Sequence, residues 1–184
     1  MRAFISVELP DKVKEKIKEF IEEVIKELSD TEIKVKWVKK ENLHLTLKFL
    51  GWVDDKALDK LIALTEKAVS NSGSFEVSLG GAGTFPEGKN PKVVWVGTDR
   101  GGDKLCDLAD RLSKTGPRRE TREFKAHLTI GRVKDKRGVD KLLKKLEKFK
   151  DIKFGEISVD RIFIMKSTLT PKGPIYEIFR EVKV

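Results

Sequence analysis

One pattern occurs twice in this chain and constrains its fold more than any other feature. In each half, a short apolar strand is followed by a helix and then by a segment of histidine, leucine, threonine and an apolar residue. These segments begin at His44 and His127, the two histidines of the sequence, and the preceding strands lie at 4–7 and 93–96. Because duplicated halves often place equivalent residues around a shared cleft, we expect two similar lobes that face each other.

The spacing of apolar residues predicts the secondary structure around the two copies. Four segments carry apolar residues every three or four positions, as amphipathic helices do: 13–28, 57–69, 104–112 and 139–149. Strand-like segments lie at 3–7, 33–38, 43–50, 75–79, 93–96, 125–133, 156–165 and 175–182. Since helices and strands alternate irregularly and several strands are half polar, an α+β fold with antiparallel sheets is favoured over a doubly wound parallel sheet.

The glycine-rich stretch at 80–90 is predicted to be a loop. Its run Gly80-Gly81-Ala82-Gly83 lacks the Lys and Ser or Thr that follow the glycines of a phosphate-binding P-loop, so we interpret the run as a turn. No low-complexity linker divides the chain. Its 184 residues therefore suit a single domain of two lobes over 1–184.

The charge balance favours an acidic partner. The 39 Lys and Arg outnumber the 30 Asp and Glu, which gives a net charge of +9, and nucleic acid is one such partner. The sequence also lacks glutamine and is rich in Lys and Glu, a composition typical of hyperthermophiles. Part of the charge therefore has a competing explanation in thermal stability.

Several classes of protein are excluded at this stage. No run of about 18 apolar residues is present, so we expect no membrane span. The N-terminal segment lacks the apolar stretch and cleavage site of a signal peptide. The single cysteine, Cys106, excludes an internal disulfide and a cysteine-based zinc site, and we expect it to be an inert thiol. Together these features predict a cytoplasmic protein.

The two histidine segments carry the candidate chemistry. Side chains of a strand alternate between faces, so His44 and Thr46 share one face, as do His127 and Thr129, while apolar residues fill the other. Imidazole titrates near pH 6.5, so one ring can accept a proton while the other donates one. Threonine hydroxyls can donate hydrogen bonds to phosphate oxygens, and phosphoryl transfer needs mainly positioning and charge neutralisation.

Two other interpretations compete with catalysis: a purely structural role for the two segments, and a metal site. A single His-x-Thr segment is weak, because threonine is a common strand residue; two copies that account for every histidine strengthen the case. A metal site would need a further ligand, and neither segment contains Asp or Glu. We therefore predict that the chain uses no metal and no cofactor.

Basic and aromatic residues beside the segments are further candidates. Arg132 reaches the site only if its strand ends or bulges at Gly131. Lys48 shares the face of His44 and Thr46 by alternation, so we expect it at the cleft as an RNA contact. Phe49 falls on the apolar face, which predicts a core position rather than a base-stacking surface. The loop before the second segment contains three arginines that either guide an RNA backbone or form a solvated basic surface: Arg118, Arg119 and Arg122.

The two segments and their flanks resemble a known family. HLTLKFLG from His44 and FKAHLTIGR from Phe124 are similar to the two signatures of the two-histidine phosphoesterases, and within them to the RNA 2′,3′-cyclic phosphodiesterases, also called 2′-5′ RNA ligases. The resemblance extends over nearly the whole chain, through RAFI at 2–5, GTFP at 83–86, VWVG at 94–97 and GPIY at 173–176. One departure is Ala126, where many relatives carry proline.

The resemblance implies a fold and an activity. It implies a bilobal α+β fold with two pseudo-symmetric antiparallel sheets, helices on their outer faces and a central cleft. It implies metal-independent hydrolysis of RNA 2′,3′-cyclic phosphate ends to 2′-phosphates, and a capacity to join RNA ends, such as tRNA halves, through a 2′-5′ linkage. A hydrolase of another cyclic nucleotide phosphate and a non-catalytic RNA-binding protein are the alternatives.

The resemblance also implies roles for residues. His44 would be the acid that protonates the leaving 3′ oxygen, and His127 the base that activates water. Thr46 and Thr129 would hold phosphate oxygens, and Arg132 would add positive charge beside them. The family resemblance favours a monomer.

Overall fold

The computed structural model describes residues 1–116, 123–171 and 173–184. Nine strands are present in this part of the chain: β1 (Arg2–Glu8), β2 (Lys34–Trp37), β3 (His44–Trp52), β4 (Phe75–Phe85), β5 (Val93–Arg100), β6 (Leu128–Asp135), β7 (Lys153–Val159), β8 (Arg161–Thr170) and β9 (Gly173–Lys183). The α-helices of the described ranges are α1 (Asp11–Glu27), α2 (Leu58–Val69), α3 (Gly102–Ser113) and α4 (Val139–Lys148), and two short 3-10 helices lie at Lys40–Asn42 and Asp55–Ala57. The predicted α+β class is confirmed.

The strands form two antiparallel sheets. The first sheet has the order β3-β1-β8-β9 and the second the order β2-β6-β5-β4-β7. In each sheet, the strand that opens a copy of the repeat pairs directly with the strand that closes it, since β1 pairs with β3 and β5 with β6. His44 is the first residue of β3, and His127 directly precedes β6. The predicted pair of similar lobes is therefore present.

Each helix of the repeat covers the sheet of the other lobe. Helix α1 follows β1 of the first sheet in sequence but packs against β7 of the second, beside α4 on β4. Helix α3 follows β5 of the second sheet but packs against β3 of the first, next to α2. Buried apolar side chains line these helices, and burial of each contributes about 1.5–3 kcal/mol. Because the helices are exchanged between the lobes, the two lobes are joined. The face of each sheet that the helices do not cover is left for the cleft.

The apolar sides of the two histidine strands lie in the core. Leu45, Leu47, Leu128 and Ile130 are each at most 4% exposed. Burial of these residues fixes which face of each strand is turned toward the cleft, because side chains of a strand alternate. Strand β3 also contacts β6, so the two strands meet where the sheets approach each other.

The glycine run at 80–83 belongs to a strand, so its interpretation as a turn is wrong. Strand β4 continues from Phe75 to Phe85 and pairs with β5 on one side and β7 on the other, with register shifts near Gly80. Gly81 has a φ of +67°, which a bulge with glycine accommodates. A Cβ on Gly83 would lie 2.4 Å from the ring of Trp95. The glycines therefore let an aromatic ring lie flat on the strand.

The end of the chain contains three strands where the sequence predicts two. The predicted strand at 156–165 is divided at Asp160, with β7 in the second sheet and β8 in the first. The alternation of buried residues changes phase at this crossing, from Ile157 and Val159 to Ile162 and Ile164, a shift that a single predicted strand overlooks. Within the described ranges, no helix combines the length and the apolar character that a bilayer span requires.

Candidate active site

His44 is held by two aromatic rings of the first sheet. Its imidazole stacks on Phe4 of β1, with ring centroids 4.8 Å apart and planes inclined by 29°. Tyr176 of β9 meets the imidazole edge-on, with centroids 5.2 Å apart. Phe4 and Tyr176 also contact each other at 5.0 Å. The three rings fix the orientation of His44 on the face of the sheet opposite α2 and α3.

His127 is held in a similar way in the second sheet, but by one aromatic ring instead of two. Phe85, the last residue of β4, meets the His127 ring edge-on at a centroid distance of 5.1 Å. Phe85 also packs on Trp95 at 5.1 Å, and the ammonium of Lys125 lies over its ring. Aromatic side chains thus orient the imidazole in both lobes.

The two imidazoles are anchored to the backbone in the same way. Nδ1 of His44 lies 2.7 Å from the carbonyl oxygen of Asn42, and Nδ1 of His127 lies 2.6 Å from that of Lys125. Each carbonyl belongs to the residue two positions earlier. Because a carbonyl oxygen can only accept, Nδ1 carries hydrogen in both rings and Nε2 is the atom left for a substrate. Asn42 is itself tied to β9, since its side-chain amide donates to the carbonyl of Pro174 at 3.1 Å.

Burial lowers the pKa of both imidazoles, and the neighbouring charge with the larger effect differs in sign between them: it is Glu8, paired with Lys14 at 2.9 Å, at His44 and Arg132 at His127. At His44, the Asn42 carbonyl and the carboxylate of Glu8 oppose the lowering of the pKa, while Lys14 adds to it slightly. At His127, the Lys125 carbonyl opposes the lowering and the positive charge of Arg132 adds to it. A negative charge thus favours the protonated form of His44, and a positive charge favours the neutral form of His127.

Arg132 lies on the face of His127 and Thr129 because β6 contains a bulge. Thr129 pairs with Trp95 and Gly131 with Val94, so Ile130 is the extra residue. The bulge therefore lies one position before Gly131, where the sequence suggests it. Burial raises the pKa of Tyr176 on the first sheet, and the charges of Arg132 and Arg2 oppose that rise. The charge of Arg132 thus acts on His127 of the second sheet and on Tyr176 of the first.

The two threonines occupy matching places. Thr46 lies opposite Ser6 on β1, and Thr129 lies opposite Trp95 on β5. Both are half-buried, two residues after their histidine. Each lobe therefore presents an imidazole and a hydroxyl on one face.

Lys48 is buried in the protein, so its expected place at the cleft is wrong. A bulge in β3 leaves Leu47 without a partner, since Ser6 pairs with Thr46 and Ile5 with Lys48. The bulge turns Lys48 to the helix side, where it is 3% exposed. Its ammonium donates to the carbonyl oxygens of Leu112 at 2.9 Å, Ser113 at 2.8 Å and Thr115. Lys48 thus caps the C-terminal end of α3.

The same bulge brings Phe49 to the cleft, so its predicted core position is also wrong. Phe49 is 47% exposed and lies 6.4 Å from Phe4, the ring on which His44 stacks. Its ring is therefore available to a ligand beside the imidazole. Alternation alone places Phe49 on the wrong face, because one inserted residue reverses the positions that follow it until a second register shift at Leu50 restores them.

Some candidates lie away from this site or outside the described residues. Arg118, Arg119 and Arg122 fall in the segment that the structure does not describe. Cys106 is half-buried on α3, where its thiol donates to the carbonyl of Phe124 at 3.7 Å and burial raises its pKa. In residues 1–116, 123–171 and 173–184, no three His, Cys, Asp or Glu side chains are grouped as metal ligands.

Three residues of the site were not identified as functional from the sequence. Tyr176 contributed only to the resemblance, although it is the one tyrosine of the chain. Phe4 and Glu8 lie on β1, on the same face as His44. Their role depends on the pairing of β1 with β3, which the repeated strand-helix-strand pattern could have indicated.

Comparison with known proteins shows the family of the chain. The sequence model of the 2′-5′ RNA ligase superfamily matches residues 9–170. A Methanocaldococcus jannaschii protein named RNA 2′,3′-cyclic phosphodiesterase is 38% identical over 183 residues, which cover 98% of this chain and 99% of the relative. An Archaeoglobus fulgidus protein of the same name is 39% identical over 184 residues, with 98% of each chain covered.

The fold is also found among solved structures. The crystal structure of E. coli LigT complexed with 3′-AMP superposes with a TM-score of 0.77 at 21% identity, covering 100% of this chain and 97% of LigT. At this identity the likeness shows the shared fold. Because the family match spans most of the residues and the two relatives align over nearly their full lengths, the chain belongs to the 2′-5′ RNA ligase superfamily.

Proposed function

We propose that this protein hydrolyses RNA 2′,3′-cyclic phosphate ends to 2′-phosphates by acid–base catalysis between His44 and His127. The name shared by its relatives supports the substrate and the reaction. The observation that carries the mechanism is the matched anchoring of the two Nδ1 atoms, 2.7 and 2.6 Å from backbone carbonyls. This anchoring leaves the two Nε2 atoms to exchange protons with the substrate at one phosphate.

The reaction exchanges one P–O bond for another. Water attacks phosphorus in line with the 3′ oxygen, a P–O bond to water forms and the P–O3′ bond breaks. The base takes a proton from water and the acid delivers a proton to the 3′ oxygen, so a 2′-phosphate and a free 3′ hydroxyl remain. General acid–base catalysis of this kind contributes roughly 10²–10⁴-fold.

The charges around the imidazoles support His44 as the acid and His127 as the base. Glu8 favours the imidazolium form of His44, which has a proton to donate. Arg132 disfavours the imidazolium form of His127, which keeps its Nε2 lone pair available. These opposite influences divide the roles between two rings that are otherwise anchored alike.

The remaining side chains neutralise and orient the substrate. The hydroxyls of Thr46 and Thr129 donate to the non-bridging phosphate oxygens, and Arg132 adds a positive charge between the lobes. Phe49, half-exposed beside Phe4, stacks on the base of the terminal nucleotide. No step in this scheme requires a metal ion, so turnover should persist in EDTA.

The same site can join RNA ends when a 5′ hydroxyl replaces water as nucleophile. Phosphorus then keeps its 2′ oxygen, loses the 3′ oxygen and forms a 2′-5′ linkage, and tRNA halves carry suitable ends. Residues 1–184 act as one two-lobed catalytic domain in this proposal, as a monomer in the cytoplasm. The family match to the 2′-5′ RNA ligase superfamily is the support for ligation.

The position of the product phosphate tests the proposal. An oligoribonucleotide with a 2′,3′-cyclic phosphate end should yield only the 2′-phosphate in ¹⁸O-labelled water and EDTA, with one label on phosphorus. Formation of the 3′-phosphate would contradict expulsion of the 3′ oxygen. Turnover of another cyclic nucleotide phosphate but not of RNA ends would favour the alternative hydrolase, and salt-dependent RNA binding without turnover would favour a binding protein.

A further inference from the structure

Trp52 is the most exposed large apolar side chain in the described part of the chain. It is the last residue of β3 and is 80% exposed. Its partner in register on β1 is Arg2, which is also exposed. An indole and a guanidinium thus lie side by side at the end of the edge strand that His44 begins.

Both side chains lie on the cleft face of the sheet. Phe4 is on that face, since it contacts His44 and Tyr176, and Arg2 is two residues earlier on the same strand. Trp52 pairs with Arg2 and therefore shares its face. The charge of Arg2 acts on Tyr176, as expected for this placement.

Arg2 differs from most of the arginines that the structure describes in lacking a carboxylate partner. Contacts with Asp or Glu are made by Arg100, Arg137, Arg161 and Arg180. Among the described arginines, Arg2, Arg111 and Arg132 make no ion pair, and of these Arg2 and Arg132 face the cleft. Two cations without a partner anion therefore lie where the proposed substrate carries its phosphates.

We propose that Trp52 and Arg2 form a subsite for the nucleotide that precedes the cyclic phosphate end of an RNA strand. This inference rests on the proposed function. The penultimate base stacks on the Trp52 indole, and Arg2 contacts the phosphate that links this nucleotide to the terminal one. The occupant is single-stranded RNA, because a stacking ring beside a free cation is the pattern that binds it.

The spacing along the sheet suits this arrangement. Phe49 lies opposite Phe4 and Trp52 opposite Arg2, so the two rings are separated by two residues of β1, or about 7 Å. That separation is comparable with the step between neighbouring bases of an extended strand. The subsite continues the line from His44 through Phe49 and makes the enzyme prefer oligonucleotides to mononucleotides.

Steady-state kinetics on two substrates tests the subsite. The substrates are cytidine 2′,3′-cyclic phosphate and a trinucleotide that ends in the same cyclic phosphate. Trp52→Ala should raise KM for the trinucleotide by roughly 5- to 150-fold, the contribution of one stacked base, and should leave KM for the mononucleotide within about twofold. Arg2→Gln should weaken the dependence of log KM on log salt for the trinucleotide by about 0.7, the value of one phosphate contact.

Matched variants separate stacking from other effects. Trp52→Phe keeps an aromatic ring and should retain most of the trinucleotide preference. Leu169→Ala removes another apolar side chain that is 66% exposed, and Arg111→Gln removes another unpaired cation; neither should change either KM. An unchanged trinucleotide KM in Trp52→Ala, or equal changes for both substrates, would overturn the inference.

The test distinguishes this inference from the proposed function. Wild-type protein that hydrolyses both substrates supports the proposed function whatever the outcome for Trp52. If it hydrolyses neither, the proposed function fails. Fluorescence anisotropy with the labelled trinucleotide then tests the subsite by binding alone. Trp52→Ala should still bind the trinucleotide more weakly than the wild type, and equal affinity of the two proteins would overturn the inference.

Discussion

Tyr176 meets the imidazole of His44 edge-on, with ring centroids 5.2 Å apart and ring planes at 88°. The two residues come from opposite edge strands of the first sheet, β9 and β3, and Phe4 on β1 lies between them. One imidazole is therefore oriented by side chains from two other strands of its sheet. We infer that the aromatic contact, rather than the tyrosine hydroxyl, is what the site requires.

Replacing Tyr176 should separate these two contributions. Tyr176→Phe keeps the ring and should leave kcat/KM within about twofold, whereas Tyr176→Ala removes an aromatic pair worth about 0.5–1.5 kcal/mol and should lower it by up to about tenfold. Steady-state hydrolysis of a cyclic-phosphate RNA end measures both. A large loss in Tyr176→Phe would instead assign a role to the hydroxyl.

The pH profile should reflect the lowered pKa of both histidines. Because burial disfavours each imidazolium, the bell-shaped profile of kcat/KM should be centred below pH 6.5. Arg132→Gln removes a positive charge beside His127 and should raise its pKa. The acidic limb, which falls as the base is protonated, should then move to higher pH.

A control variant and the basic limb of the profile show whether the shift is specific to His127. Arg100→Gln removes an arginine that is paired with Glu156 and should leave both limbs in place. If Arg132→Gln moved the basic limb instead, His127 would be the acid and the division of roles would be reversed.

Phe49 should matter for binding more than for chemistry. Phe49→Ala should raise KM by roughly 5- to 150-fold, because base stacking on an aromatic ring is worth about 1–3 kcal/mol. Phe49→Tyr should behave like the wild type, since the ring is retained. The prediction fails if Phe49→Ala lowers kcat while KM stays constant, since that result would place the ring at the reacting atoms.

Lys48 should matter for stability. Lys48→Met preserves the length of the side chain but leaves the carbonyl oxygens of Leu112, Ser113 and Thr115 without this donor. The free energy of unfolding should fall by about 1–3 kcal/mol, as measured from denaturant midpoints. Lys150→Met, at an exposed lysine 3.8 Å from Glu147, should change it by less than about 0.5 kcal/mol.

The sequence predicts the two lobes and the two histidine strands because both depend on local patterns. Alternation within four residues assigns His44 and Thr46 to one face, and repetition assigns His127 and Thr129 to an equivalent place. The apolar side of each strand, such as Leu45 and Leu128, is buried as the pattern requires. These features need no knowledge of long-range contacts.

The positions that follow a bulge could not be predicted in this way. One extra residue in β3 sends Lys48 to the helix side and Phe49 to the cleft, and one in β6 brings Arg132 to the face of Thr129. Bulges depend on strand pairing, which leaves little trace in a single sequence. The contact of Tyr176 with His44 is likewise set by the order of strands in the sheet.

The most direct test is single-turnover hydrolysis of an RNA oligonucleotide with a 2′,3′-cyclic phosphate end, measured in EDTA for the wild type, His44→Ala and His127→Ala. Each variant should lose about 10²–10⁴-fold in rate while it keeps the circular dichroism spectrum and the RNA affinity of the wild type. Wild-type rates in either variant would contradict paired histidine catalysis, which is the central claim.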